Sequence, residues 1–432
     1  MCADIMICSS HFCCLKIYVY KRERRLLMRI TGIKTTPVAV PLNINTTDAY
    51  LRKGPAVLIE AILEVFTDEG ITGIAEIPVV AGATMAADLV KSAESIVIGK
   101  DPADVNVILK ELYSCYNLNH LHMHAANWAV NSIERACWDI MGQKAGLPLY
   151  KLWGGGFRKE VEVFGFIEAE DLDEIRKVSK LRAEQGYKVI YTKVGFSTPE
   201  YDVAMVKAIR EGAPDPSIKI RVDANQAWNV GEAISIINQM EPYGIDCVDQ
   251  PVIMYNLDAL KDVKNATHVP IAAHESTWTM YDMLKVIKEN AADIVHIDPR
   301  FDVGYYGARI SAGIAETAGV PVICHAYYEL GVALMERMQL CAACPAFTMV
   351  HQIGEYEYLK DDIIKGGKIQ IKNGKIALPD QPGLGVTLDQ EKMALYNEMY
   401  IKEVKEAGFE NSTESPLYGA QFTRKYLKSL YE

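Results

Sequence analysis

The chain of 432 residues contains no uninterrupted apolar run of the ~18 residues that a membrane-spanning helix needs, which excludes a transmembrane span. Positive charge is also scarce. Against 56 Asp and Glu stand 45 Lys and Arg, a net of −11, which disfavours a nucleic-acid-binding surface. Only 23% of residues are charged while 50% are hydrophobic, enough for a large buried core. Cysteine supplies no disulfide framework, since four of the ten (Cys2, Cys8, Cys13 and Cys14) crowd the amino terminus. The others, Cys115, Cys137, Cys247, Cys324, Cys341 and Cys344, lie mostly inside apolar runs and read as buried thiols of a reducing, cytoplasmic protein. Cys341-Ala-Ala-Cys344 matches CxxC but falls late in a helical pattern before Pro345, where no helix N-terminus activates a thiol.

What is present organises the chain into four stretches. Residues 1–27 carry a net +3, and their Lys21-Arg22-Glu23-Arg24-Arg25 cluster follows the apolar part rather than preceding it, the reverse of a secretory signal. They read as a disordered or mis-started extension ahead of Met28, with a membrane-surface anchor as the alternative. Residues 28–153 read as an α+β module: strand patterns at 29–41, 56–66 and 71–77, then helical patterns near 84–97, 102–116 and 123–145. From 154 to 355 one theme repeats. β-branched runs at 160–166, 187–194, 218–223, 244–249, 269–274, 293–298, 320–325 and 346–351 alternate with amphipathic stretches such as 172–185, 202–211, 232–240, 280–290 and 304–318. Eight strand–helix units predict a modified (β/α)8 TIM-type barrel. A doubly wound open sheet is weaker, because no strand run leads into GxGxxG. Residues 356–432 break the theme with a hairpin at 368–378 around Asn373-Gly374 and a charged helix at 389–407, expected to pack back on the first module and complete a capping domain.

Barrel enzymes react at the C-terminal ends of their strands, so the residues there are candidates. In order they are Lys193, Asp223, Asp249, Glu275, Asp298, His325 and His351, each closing a mostly apolar run where an ionisable group is least expected. A single strand-end carboxylate is more often a helix cap than a catalytic group, but seven in succession resist that explanation. Asp223, Asp249 and Glu275 are 26 residues apart, one βα unit each, and point three carboxylates at one spot. Such a cluster repels itself unless a cation sits there, and all-oxygen donors suit Mg²⁺ first and Mn²⁺ second. Zinc would want nitrogen or sulfur, for which His274 is the only adjacent candidate. Lys193, beside a cation and low-dielectric walls, can serve as a neutral base. Asp298 and His325, 27 residues apart on neighbouring strands, suit a carboxylate that orients an imidazole. A base and an acid flanking a bound carboxylate suit removal of the adjacent proton, with an enediolate as intermediate.

With these residues in view, the chain from Met28 onward resembles the mandelate racemase/muconate lactonizing enzyme family of the enolase superfamily. The matching segments are Arg135-Ala136-Cys137-Trp138-Asp139-Ile140, Lys151-Leu152-Trp153-Gly154-Gly155, Tyr191-Thr192-Lys193, Val222-Asp223-Ala224-Asn225, Asp249-Gln250-Pro251 and Ala273-His274-Glu275-Ser276. The Asp298–His325 spacing resembles the mandelate racemase-like subgroup. The resemblance implies one essential Mg²⁺, abstraction of the proton α to a carboxylate, and an even-numbered homo-oligomer acting on a small-molecule carboxylate. It also implies four departures. Tyr191 stands where the family usually has lysine, so it could share in proton transfer. Asp249 replaces a glutamate. His274 takes the place of a sister subgroup's metal-binding aspartate, which leaves Glu275 as third ligand. His351 replaces a substrate-binding glutamate, so that contact is either cationic or falls to Glu355. Asn225 and, in a polar cap loop, Arg52 and Lys53 complete the expected substrate contacts. Trp228 and Trp278 read as loop packing. His120, His122 and His124 read as polar helix-entry residues, with a metal cluster as the alternative. The activity implied first is dehydration of an acid sugar, with racemisation or epimerisation second and a non-catalytic carboxylate-binding module a distant third.

Overall fold

The computed structural model describes residues 28–43, 55–79, 82–115, 125–169, 171–354 and 356–409; the 1–27 extension, Arg52, Lys53, His120, His122, His124 and Glu355 lie outside the described residues. Strands β1 (Ile30–Pro41), β2 (Val57–Thr67) and β3 (Thr72–Ile77) pair antiparallel in that order. The predicted Thr67–Gly70 turn joins the last two, with Gly70 in the left-handed region at φ 76°. On this sheet pack α1 (Ala83–Ser92), α2 (Glu94–Val97), α3 (Val105–Ser114) and α4 (Ala125–Ala145), sharing one apolar core. Helix α4 meets β3 at Gly73, where a Cβ would stand 2.2 Å from the Ala136 carbonyl oxygen. No side chain fits there, so that glycine sets how deeply the long helix beds on the sheet.

After α5 (Leu149–Leu152), β4 (Glu160–Glu162) and β5 (Gly165–Ile167), the alternation runs through α6 (Leu172–Glu184), β6 (Val189–Lys193), α7 (Pro199–Gly212), β7 (Lys219–Asp223), α8 (Val230–Met240), β8 (Ile245–Asp249), α9 (Leu257–Ala266), β9 (Ile271–Ala273), α10 (Met280–Glu289), β10 (Ile294–Ile297), α11 (Gly304–Ala318), β11 (Val322–Cys324) and α12 (Gly331–Ala343). β5 to β11 form one seven-stranded parallel sheet in chain order. Several helices begin where side chains cap them: Asp171, Thr198 ahead of Pro199, Asn229 with Glu232 in a reciprocal capping box, Asn256 and Thr279.

The eighth run departs from expectation. Residues 346–351 form no regular strand, because a Thr348 N–H to Ala346 carbonyl contact (2.8 Å) turns the chain just after Pro345. The barrel nevertheless closes through them: Gln352 N–H donates to Cys324 (3.0 Å), and His351 pairs in parallel with Val163. The first run also divides. β4 leaves the barrel sheet and pairs antiparallel with β12 (Lys375–Ala377), so the expected hairpin reduces to a Lys372–Lys375 bridge around Asn373 and Gly374, both left-handed. Helix α13 (Gln390–Met399) continues as a π-helical segment over Tyr400–Lys405. Tyr400 and Val404 bury against Ala39, Val57 and Ala83, and Asn397 Nδ2 donates to the Pro37 carbonyl (2.7 Å). Among the described residues no helix is long and apolar enough to cross a membrane. Cys341 and Cys344 are buried in or beside α12, and burial pushes both thiols up, Cys344 to about 11, so neither is an activated thiol.

Candidate active site

Parallel register carries the predicted residues to one end of the sheet. Lys193 lies beside Asp223, and Asp223 beside Asp249, because β6, β7 and β8 end level with one another. Side chains alternate along a strand, so Tyr191 and Lys193 share a face, and both reach the same oxygen. Asp223 Oδ2 accepts from Tyr191 Oη (2.7 Å) and Lys193 Nζ (2.8 Å), while Oδ1 accepts the Asn225 N–H (2.9 Å). Lys193 Nζ also donates to Asn225 Oδ1 (2.7 Å), whose amide in turn donates to Glu275 Oε1 (3.0 Å). Asn225 thus links base and carboxylate. Burial alone would raise the Asp223 carboxyl, but Lys193 and His274 beside it hold it well below the ordinary carboxylate range.

His274 enters between two of the expected metal ligands. Its Nδ1 lies 3.4 Å from Asp223 Oδ2 and 3.5 Å from Glu275 Oε2, too long for good hydrogen bonds. Burial opposes its imidazolium, yet Glu275 and Asp223 push its pKa up. The third carboxylate faces elsewhere: Asp249 Oδ1 is 3.2 Å from His296 Nε2, and Oδ2 is 3.5 Å from Gln352 Nε2. The donor chemistry of Asp223, Asp249 and Glu275 fits a hard dication, since all are buried oxygens and Glu275 Oε2 has no hydrogen-bond partner. Among the described residues, however, no three His, Cys, Asp or Glu side chains stand close enough to hold a metal ion. His274 and His296, each within 3.5 Å of one of these carboxylates, are the groups a cation there would meet.

Across the sheet, with β7 to β10 between them and Lys193, Asp298 follows β10 and His325 follows β11. His325 Nδ1 lies 3.0 Å from Asp298 Oδ2, as the 27-residue spacing anticipated. Burial, together with His274 at 4.5 Å between ring centroids, holds His325 well below the ordinary histidine range despite Asp298. Trp278 and Phe301 stand 5.0 and 5.2 Å from its ring, and stack on each other at 4.7 Å, so Trp278 belongs to the site rather than to loop packing alone.

His351 corrects one expectation. Its Nδ1 accepts the Cys324 N–H (3.1 Å), and burial with Arg158, Arg221 and Arg337 nearby keeps the ring neutral. It serves the barrel seam and offers no cationic contact. Sequence reasoning missed Gln226, Gln250, His296, Arg300 and Gln352. Gln250 accepts the N–H groups of His274 and Ser276 (3.0 and 3.2 Å), and Gln226 donates to Glu275 Oε1 (3.2 Å). Asn225, Gln226 and Gln250 all adopt positive φ (42°, 69° and 36°), a cluster of backbone strain of the kind held at functional sites. Only the adjacency of Gln250 to Asp249, and of Gln352 to His351, could have flagged them.

Comparison with known proteins identifies both halves of the chain. A family model described as mandelate racemase/muconate lactonizing enzyme, N-terminal domain, matches residues 33–154, and an enolase C-terminal domain-like model matches 173–392. The chain is 32% identical over 262 residues to an arabinonate dehydratase of Saccharolobus solfataricus, covering 60% of this chain and 69% of that one. It is 29% identical over 375 residues to an L-Ala-D/L-Glu epimerase of Bacillus subtilis, covering 83% and 97%. A crystal structure of an enolase from Pseudomonas fluorescens with bound magnesium, potassium and tartrate superposes with a TM-score of 0.77 at 22% identity, over 91% of this chain and 98% of that one. The residues that end its parallel strands, and the domains that frame them, place the chain in the mandelate racemase/muconate lactonizing enzyme family of the enolase superfamily.

Proposed function

We propose that this protein removes the proton α to the carboxylate of a small-molecule acid through an enediolate, and that its leading reaction is dehydration of an acid sugar to a 2-keto-3-deoxy acid. The observation that carries the reading is a pair of fixed proton carriers at the ends of non-adjacent strands: half-buried Lys193 held by Asp223 and Asn225, and buried His325 held by Asp298. A divalent cation held by Asp223, Asp249 and Glu275 would neutralise the substrate carboxylate and the charge that moves onto it. One of Lys193 and His325 takes the α-proton. The electron pair of the broken C–H bond first moves onto the carboxylate, giving the enediolate, and then returns to form the C=C bond as the β-hydroxyl departs, protonated by the partner residue; the enol product tautomerises to the 2-keto acid. Tyr191 donates to the same Asp223 oxygen as Lys193, which places its hydroxyl where it can share in the proton transfer. The dehydratase relative supports this reading.

Racemisation or epimerisation is the second reading. Trp278 and Phe301 flank His325 with apolar rings, which suits a substrate less hydroxylated than a sugar acid, and the epimerase relative matches more of the chain. Incubation of the Mg²⁺-supplied enzyme with an acid-sugar panel in D₂O decides between them. Accumulation of 2-keto acid supports dehydration, and α-deuterium with inverted configuration supports epimerisation. Neither product nor α-exchange across acid-sugar and dipeptide panels would reject both and leave a carboxylate-binding module.

A further inference from the structure

The dyad has a third member that the reaction does not require. Arg300 is fully buried, two residues beyond Asp298, and three of its donors turn back on that carboxylate. Its backbone N–H and Nε donate to Oδ1 (2.9 and 3.2 Å), and Nη2 donates to Oδ2 (2.9 Å). A carboxylate offers about four lone-pair sites, so Arg300 takes three and leaves His325 Nδ1 the last. The guanidinium is itself fixed, since Nη1 donates to the Tyr328 carbonyl (2.9 Å) and the Arg300 carbonyl accepts from Asn131 Nδ2 (2.8 Å) on α4. An aspartate paired with a histidine alone supports the imidazolium. One already neutralised by a forked arginine supports it far less, while still fixing the ring by its Nδ1–H bond.

We propose that Arg300 is a positioning residue of the Asp298–His325 pair: it occupies the carboxylate so that His325 rests as a neutral imidazole, Nδ1–H on Asp298 and Nε2 the proton-accepting atom. This rests on the acid–base reading given above and assigns the roles within it, His325 taking the α-proton and Lys193 the resting acid. The other groups facing His325 act in the same direction or are already balanced. His274 and His296 lie 4.5 and 6.3 Å away between ring centroids. Arg337 Nη1 donates to the His325 carbonyl (3.0 Å) and is balanced by Glu329, 2.7 Å from its Nε. Trp278 and Phe301 contribute apolar surface. Glu76 and Glu329 act on Arg300 rather than on the ring.

The test is the titration of His325 by NMR in ¹⁵N-histidine-labelled protein, assigned by the signal lost in H325Q. In the unsubstituted protein its midpoint should lie at least about one pH unit below the ordinary ~6.5. In R300Q it should rise by about one unit or more, with R300K between the two and the acid limb of kcat/KM moving in parallel. A midpoint at or above ~6.5 in the unsubstituted protein overturns the proposal, even if neither variant folds. So does a folded R300Q whose midpoint stays in place. Undiminished turnover in H325Q would instead reject the acid–base reading, an outcome separate from either.

Discussion

Lys193 and Tyr191 compete for one acceptor, Asp223 Oδ2, and that sharing makes their contributions separable. K193M removes the resting acid and should cut turnover by about 10²–10⁴-fold, the usual worth of a positioned acid or base. Y191F leaves Lys193 its two acceptors and should cost less than about tenfold. Equal losses of turnover in the two variants would make Tyr191 as necessary to the proton transfer as Lys193. His274 makes a second prediction. Its ring sits between two expected ligands and, when charged, repels any dication brought there. H274G should therefore bind Mg²⁺ about tenfold more tightly by titration calorimetry, a modest figure for one like charge removed at close range. Unchanged or weaker binding would show that the imidazole helps to hold the ion. At this scale the sequence was legible where period and position decide the outcome, as for Lys193, Asp223, Asp298 and His325. It was silent on His296 and on the ring contacts of His274, which depend on which neighbouring strand's side chains they meet.

A strand of the cap and a helix of the barrel are joined through one carboxylate. Glu76 on β3 accepts the Leu330 N–H (2.7 Å) with Oε1 and the Ala333 N–H (3.0 Å) with Oε2, capping α12 from a different domain. The first turn of a helix leaves N–H groups unpaired, and the residue just before α12, Leu330, supplies no side-chain cap of its own. E76A should cost about 2–3 kcal/mol in urea unfolding, combining a lost cap with buried donors left unmatched. A loss below about 0.5 kcal/mol would mean that water takes over both bonds. The cap–barrel joint is also where reading the chain in order stops working. The Ala125–Ala145 helix was visible from its pattern, but its Asn127 and Asn131 holding the loop after β10 pair residues more than 160 positions apart. The eighth strand failed for the opposite reason. Its composition suits a strand, and a local turn after Pro345 overrides it.

Taken whole, the molecule encloses several imidazoles that burial keeps neutral, and this sets how it responds to acid. His296 is pushed down to about 4 by burial, and His325 and His351 also lie well below the ordinary value. In the unfolded chain all three gain protons as pH falls through about 6.5, while the folded protein refuses them, so the unfolded state binds more protons and stability drops as pH falls. His296 alone would account for roughly 3 kcal/mol between about pH 6.5 and about pH 4. His274 works the other way: its raised value makes its contribution complete below about pH 6.5 and lost at higher pH, offsetting one of the three. The Asp298 contribution, held low by Arg300 and His325 against burial, is present above about pH 4 and fades only in stronger acid. Buried carboxyls work against these rings over the same interval, Glu76 being pushed up to about 8 and Glu134, Asp302 and Glu336 to about 7, so the rings' share is read as a difference between proteins in urea titrations from about pH 7 to about pH 5. H351N, whose side-chain oxygen can still accept the Cys324 N–H but cannot titrate, should gain stability relative to the unsubstituted protein as pH falls through that interval. An identical pH dependence in the two proteins would mean that the folded protein protonates His351 as readily as the unfolded chain does.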